Sequence, residues 1–354
     1  MMLPPATIVS ELFDPRNSAV VLTSLETAIR VLTFRSGYNT NLVIAGTALL
    51  GFAAGIIGVF AMLRKRSLVA DALSHATLPG ICMAFLLASF IGQAGRSLPV
   101  LLIGAGFTGV LGVLCIQMIL RHGRLREDVA ITVVLGAFFG AGVVGLSFIQ
   151  ANSAAESAGI TRFIYGQAAS MQPSDVVIMA WICGIALLAC TLLFKEFTIV
   201  CFNDSYARTL GWPVERLDLG IMALIVLVTL VGLQTAGLIL VVALLILPAA
   251  SARFWTDRIR SMVLLSGFFG AMGCWLGSTL SAVFPRYPTG AVIVLTSGML
   301  FALSMLFAPR RGLIHLLRHR RRLQLHDLEA VAMHAHGAPG FHGLPHRGSG
   351  RADS

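Results

Sequence analysis

Asp71, Ser74 and His75 lie within SLVADALSHATLPGICMAFLLASFI, residues 67–91, a stretch with the length and apolarity of a membrane-spanning helix. Asp71 and His75 are four residues apart, so on a helix the carboxylate and the imidazole share one face. Pro79 has no N–H to give to the carbonyl of His75, which leaves that oxygen available. Carboxylate, imidazole and freed carbonyl form an N/O donor set suited to a first-row divalent cation, with Ser74 and Pro79 supporting it. The same two side chains also fit a proton relay, or a structural pair satisfied by a neighbouring helix. Residue types alone leave these three readings open. Ionisable groups inside a span are costly and gather on substrate or ion paths. Asp71 is the only carboxylate well inside any apolar run, which weighs against a purely packing role.

The elements that must position this pair follow from composition. Of 354 residues, 56% are hydrophobic and only 12% charged, with 36 Gly and a mean hydropathy of +0.84. A soluble domain carries about 25% charged residues. Apolar runs of roughly 20 residues recur along most of the chain, so the expected fold is all-α, a polytopic membrane bundle of about eight or nine transmembrane helices. The expected spans are 41–62, 67–91, 98–120, 129–149, 176–194, 219–233, 236–253, 262–284 and 290–307. The pair 219–233 and 236–253 is separated only by Gln234-Thr235, so one long bent helix is an alternative there. Residues 1–40, with Glu26 and Arg30 interrupting an apolar stretch, read as an interfacial segment. Residues 41–308 form the transmembrane domain. Residues 309–354 are a basic, His-rich tail expected to be disordered, carrying seven of the nine His: His315, His319, His326, His334, His336, His342 and His346. Such tracts bind Zn²⁺ or Mn²⁺ loosely, or are incidental to a basic tail.

Charge placement excludes one class and orients the chain. The net charge of +10 comes from short basic clusters between apolar runs, the pattern of the positive-inside rule, and nucleic-acid binding is not expected. The loops 63–67, 121–127, 195–217 and 253–261 carry twelve Lys and Arg, against three in the loops 92–97, 150–174 and 285–289. The first set is therefore expected in the cytoplasm, with the N-terminus outside and the C-terminus inside. On that orientation His75 lies roughly 12 Å in, near the middle of the hydrocarbon. The first residues lack the basic start and apolar core of a cleavable signal. Cys82, Cys115, Cys183, Cys190, Cys201 and Cys274 lie in or beside apolar segments with no CxxC pair and read as packing residues. No GxxxxGK[ST] loop, nucleophile elbow or HExxH is present, so nothing reads as catalysis or ATP hydrolysis by this chain.

A second constellation, Phe202 to Gly211 (FNDSYARTLG), sits between two spans on the basic side. A short helix at 204–210, closed by Gly211 and Pro213, has the form of a piece that docks into a groove on a soluble partner, or of an ordinary surface helix.

DALSHATLPG at 71–80 resembles the signature of the ATP-binding-cassette permeases for manganese, zinc and iron. Phe202 to Gly211 is similar to that family's coupling segment, with Asn203 where the family usually has Asp. AGLILVVALLILPAASA at 236–252 resembles its late span, and Tyr287 to Val292 and Phe163-Tyr165-Gly166 also fit. The resemblance implies a permease of the vitamin-B12-importer type in a bacterial inner membrane, paired with a second copy or a sister permease. It implies cytoplasmic ATP-binding subunits and an extracytoplasmic metal-binding protein as partners. ATP would be bound on the partner, no cofactor held permanently, and the metal, with manganese favoured over zinc or iron, would be cargo. On that resemblance Asp71 and His75 contact metal in transit, while Asp204, Ala207, Leu210 and Gly211 belong to the helix (about 203–211) that couples to the ATPase. The alternative class is a stand-alone secondary divalent-metal or proton-coupled transporter.

Overall fold

The helix α1 (Tyr38–Leu63) is the axis of the bundle, and its glycines explain why. In hydrocarbon there is no hydrophobic gain from joining two apolar helices, so small residues that admit close backbone packing decide the contacts. A methyl group on Gly51 would lie 2.4 Å from the Gly270 carbonyl oxygen, and one on Gly270 would lie 2.1 Å from that of Gly51. Ser266 adds a hydrogen bond from its hydroxyl to the Gly55 carbonyl, 2.6 Å. Gly58 meets the backbone of Leu245 in the same way. Gly51, Gly55 and Gly58 thus all meet backbone of other helices. Gly136 and Gly140 face open space, and Gly142 and Gly145 on the same helix pack instead, against Leu78 and Pro79 and against Cys82.

The computed structural model describes residues 37–64, 67–90, 98–123, 125–152, 171–284, 287–309 and 312. The interfacial segment up to residue 36, Phe163-Tyr165-Gly166 and the histidines of the tail lie outside the described residues. Every described element is a helix. After α1 come α2 (Ser67–Ala76), α3 (Leu78–Phe90), α4 (Leu98–His122), α5 (Glu127–Asn152) and α6 (Pro173–Leu192). Two short helices, α7 (Phe194–Phe202) and α8 (Asp204–Thr209), lead to α9 (Val214–Trp255), α10 (Ile259–Val283) and α11 (Thr289–Phe307). Among the described residues, eight helical stretches are long and apolar enough to cross a membrane, with Leu240–Trp255 a ninth, shorter one. In α1, 72% of the apolar window is buried in the protein, against 17% in α11, so α1 is core and α11 is periphery.

Two irregularities shape the bundle. The expected span at 67–91 is two helices joined at Thr77, because Pro79 cannot continue the ladder of hydrogen bonds. The long α9 is broken at Gly237, whose φ of 78° and ψ of 173° suit glycine alone. Gly232 and Val241 approach so closely that a methyl on Gly232 would lie 2.4 Å from Val241 Cγ2. Nine residues of straight helix would separate them by about 13 Å. The chain therefore doubles back at Gly237, and the residues expected as spans six and seven are two arms of a hairpin.

Backbone contact at Gly270 leaves no room for a side chain, whereas Gly140 is open. Gly270→Val should lower the thermal midpoint of the detergent-solubilised protein by several degrees, overpacking of this kind costing about 1–3 kcal/mol or more. Gly140→Val should leave that midpoint unchanged, and equal effects of the two in a thermal-shift measurement would contradict this packing.

Candidate functional site

The break at Thr77 sets the direction of α2 and with it the pair of interest. Thr77 N–H bonds the Leu73 carbonyl at 3.2 Å and Ile81 N–H bonds the Thr77 carbonyl at 3.1 Å, so α2 and α3 stay in near-helical register across the proline. Ser74 is buried and gives its hydroxyl proton to the Ala70 carbonyl at 2.8 Å, facing into the bundle. Gly80 and Gly104 bring α3 against α4, where a methyl on Gly80 would lie 2.1 Å from the Gly104 carbonyl oxygen.

Asp71 and His75 lie beside Ser74 on the less buried flank of the helix. His75 Nε2 lies 3.6 Å from Asp71 Oδ1, with the side chains 25% and 43% exposed respectively. That separation is too long for a hydrogen bond. It is close to the roughly 3.4 Å between two ligand atoms held at about 2.1 Å from one ion at a tetrahedral angle. The His75 ring stands edge-on to Phe139 of α5, centroids 4.8 Å apart, which fixes its plane. Its other nitrogen, Nδ1, is buried and has no hydrogen-bond partner. Among the described residues, no third His, Cys, Asp or Glu joins the pair. The pair thus puts two N/O donors on a partly open face, a number that could touch a cation but not enclose one.

The second constellation folds as its sequence suggests. Asn203 caps α8, its Oδ1 accepting from Ser205 N–H at 3.0 Å and Tyr206 N–H at 3.2 Å. Asn and Asp serve this position equally well, so the departure at Asn203 costs the helix nothing. The far end closes with Trp212 N–H on the Ala207 carbonyl (3.1 Å) and Gly211 N–H on the Arg208 carbonyl (3.0 Å). Gly211 takes φ +79° to allow it. Ala207 is fully buried, so it anchors α8 to its own chain. Phe202, Tyr206 and Leu210 are more than half exposed and form the face turned outward.

The most buried carboxylate of the described spans was not legible in the sequence. Asp218, 4% exposed, lies at the head of α9 and receives Arg64 Nη2 at 2.8 Å and Nε at 3.1 Å. Its second oxygen accepts from Gln117 Nε2 at 2.9 Å. Arg64 Nη1 also pairs with Asp204 and donates to the Val200 carbonyl at 3.2 Å. Burial works against the charge of Arg64, but the two carboxylates outweigh it and hold its pKa above the ordinary arginine value. Asp71 is therefore not the only carboxylate within the bundle, and unlike Asp218 it is not held by a guanidinium. Arg64 is 136 to 154 residues from these partners, and the one hint was an Asp heading an apolar run.

The model of the ABC 3 transport family matches residues 38–308, from the first residue of α1 to just past α11. The chain belongs to this family. The manganese transport system membrane protein MntC of Bacillus subtilis is 44% identical over 288 residues, covering 80% of this chain and 65% of that protein. The chain thus spans slightly less than two thirds of that relative. The zinc transport system membrane protein TroC of Treponema pallidum is 38% identical over 290 residues, 82% of this chain and 96% of that one. Among solved structures, PsaBC from Streptococcus pneumoniae in complex with Fab is 29% identical with a TM-score of 0.69, covering 82% of this chain and 99% of that one. This member of the ABC 3 transport family is a multi-pass membrane protein, all-α throughout its described residues, as expected.

The cap at Asn203 gives a direct test. Asn203→Ala should speed amide exchange at Tyr206 and Ala207 about fivefold, the loss of a cap costing roughly 1 kcal/mol. Asn203→Asp should leave the rate unchanged, and hydrogen-exchange measurement distinguishes the two.

Proposed function

We propose that this chain is the permease subunit of an ATP-driven importer of divalent metal ions in a bacterial inner membrane. The observation that carries the reading is the Asp71–His75 pair, unbonded at ligand spacing, inside a member of the ABC 3 transport family. A structural pair would close to hydrogen-bond distance, and this one stands open. Two ligands suit transit, since a full set would trap the ion. The half-open face of Asp71 favours a path shared with a second permease, a copy of this chain or a sister chain. Manganese is the favoured cargo, because a hard carboxylate oxygen and an imidazole are offered with no thiol, while zinc and iron fit the same donors.

Energy comes, on this reading, from cytoplasmic ATP-binding subunits, since the chain carries no phosphate-binding loop. Asp204 to Gly211 docks on them, presenting Tyr206 and Leu210. The basic ends of the spans face the cytoplasm, and an extracytoplasmic binding protein delivers metal at the opposite end. Family membership favours this over a stand-alone secondary transporter.

His75→Ala and Asp71→Ala should each reduce ⁵⁴Mn uptake by cells at least about tenfold, a loss of about 1.4 kcal/mol or more in the barrier, with membrane levels of the protein unchanged. Uptake at the wild-type rate in both variants overturns the path assignment. Proteoliposomes carrying the chain without ATPase subunits should take up no metal, and uptake driven there by a proton gradient would favour the secondary transporter.

A further inference from the structure

Arg64 is a single cation shared by two carboxylates that belong to different moving parts. Asp218 heads α9, is buried, and has both oxygens occupied, one by Arg64 and one by Gln117 of α4. Asp204 is the first residue of α8 and its side chain is half exposed. Only six residues long, α8 cannot hold a position through its own helicity. Two attachments hold it: the buried methyl of Ala207 and the charge-assisted link from Asp204 to Arg64.

The inner side of this joint leads to the metal pair by rigid pieces. From Asp218 to Val226 is eight residues of α9, a rise of about 12 Å. Val226 meets Gly109 of α4 and Thr77, the latter two residues past His75, at the place where a methyl on Gly109 would touch both. The α2 helix that carries Asp71 and His75 also packs on α9. Besides its chain connection to α9 through residues 210–213, α8 thus has a side-chain tie to the buried head of α9 by way of Arg64, and packed side chains lead from there toward Thr77.

Resting on the importer reading above, we propose that Arg64 is the positioning residue of coupling: its link to Asp204 transmits movement of the ATPase-docking helix to the helices that bear the metal pair. The two halves of the joint are unequal. Asp218 and Gln117 aim the guanidinium permanently, and the half-exposed Asp204 is the end that engages it. Arginine is the side chain for this task, because its planar fork satisfies two carboxylates at once where a lysine presents one point charge.

The test uses the complete complex, this chain with its ATP-binding subunits and binding protein, in proteoliposomes with Mn²⁺ as the probe. The readout is Mn²⁺ taken up per ATP hydrolysed, measured in the same vesicles. Asp204→Asn should lower that ratio about tenfold while the complex still copurifies, a coupling loss of about 1.4 kcal/mol. Asp204→Glu should restore it. Arg64→Lys should lower the ratio as Asp204→Asn does. Adding Asp204→Asn to Arg64→Gln should cost nothing further, the signature of residues acting as one link. A wild-type ratio in Asp204→Asn overturns the assignment of Arg64 alone, as does loss of the ATPase subunits from that variant, which would make Asp204 a direct partner contact. A wild-type complex that takes up no Mn²⁺ with ATP present overturns the ATP-driven reading, and this proposal with it.

Discussion

Backbone contact between α1 and α10 is the constraint on which the rest of the bundle depends. Lipid tails are as apolar as leucine, so membrane helices have no solvent reason to associate, and contact quality decides which of them meet. Gly51 against Gly270, and Gly55 against Ser266, bring two backbones to a distance that no side chain permits. With α1 so fixed, Arg64 at its end is held at a defined height, and so are the α2 residues that follow three positions later. The peripheral helices, α5, α6 and α11, are free to present apolar side chains outward because α1 and α9 supply the interior.

Two groups of polar residues within this frame are satisfied by their neighbours to different degrees. Asp218 is surrounded by donors that match its two oxygens, as buried charge requires. Asp71 and His75 are four residues apart on one helix and do not close on each other, and one imidazole nitrogen is left with no protein partner. Phe139 holds the ring in plane without offering it a hydrogen bond, which keeps the nitrogens available.

Much of this arrangement is legible in the sequence, and what is missing has a physical reason. Span positions follow from length and apolarity, so α1, α4, α10 and α11 start and stop within a few residues of expectation. The short helix at 204–209 follows from Gly211 and Pro213, local stop signals that need no tertiary help, while the cap made by Asn203 is seen only in the structure. The separate helix α7 was hidden because FKEFTIVCF looks like the frayed end of a span, and only the burial of Phe197 and Val200 shows it as an element of its own. The Asp71–His75 pair is visible because its spacing is local. The Arg64 joint is not, because its members come from four distant stretches, and a basic cluster after a span has an ordinary explanation in topology. Which glycines pack is likewise a matter of neighbours: Gly136 and Gly142 lie on one helix, and only the latter meets another chain segment.

The reversal at Gly237 bears on the shape of the protein's outer rim. The second arm, Leu240–Trp255, has sixteen residues and rises about 24 Å, less than the roughly 30 Å of hydrocarbon. Anchored at its basic end through Trp255, whose indole N–H reaches Ser304 at 2.6 Å, the arm stops short of the far surface. Non-helical backbone at such depth survives only under protein cover or beside water. Gly237 is buried, so cover is what the fold provides at the bend itself. The reversal is therefore made inside the bundle and not against lipid.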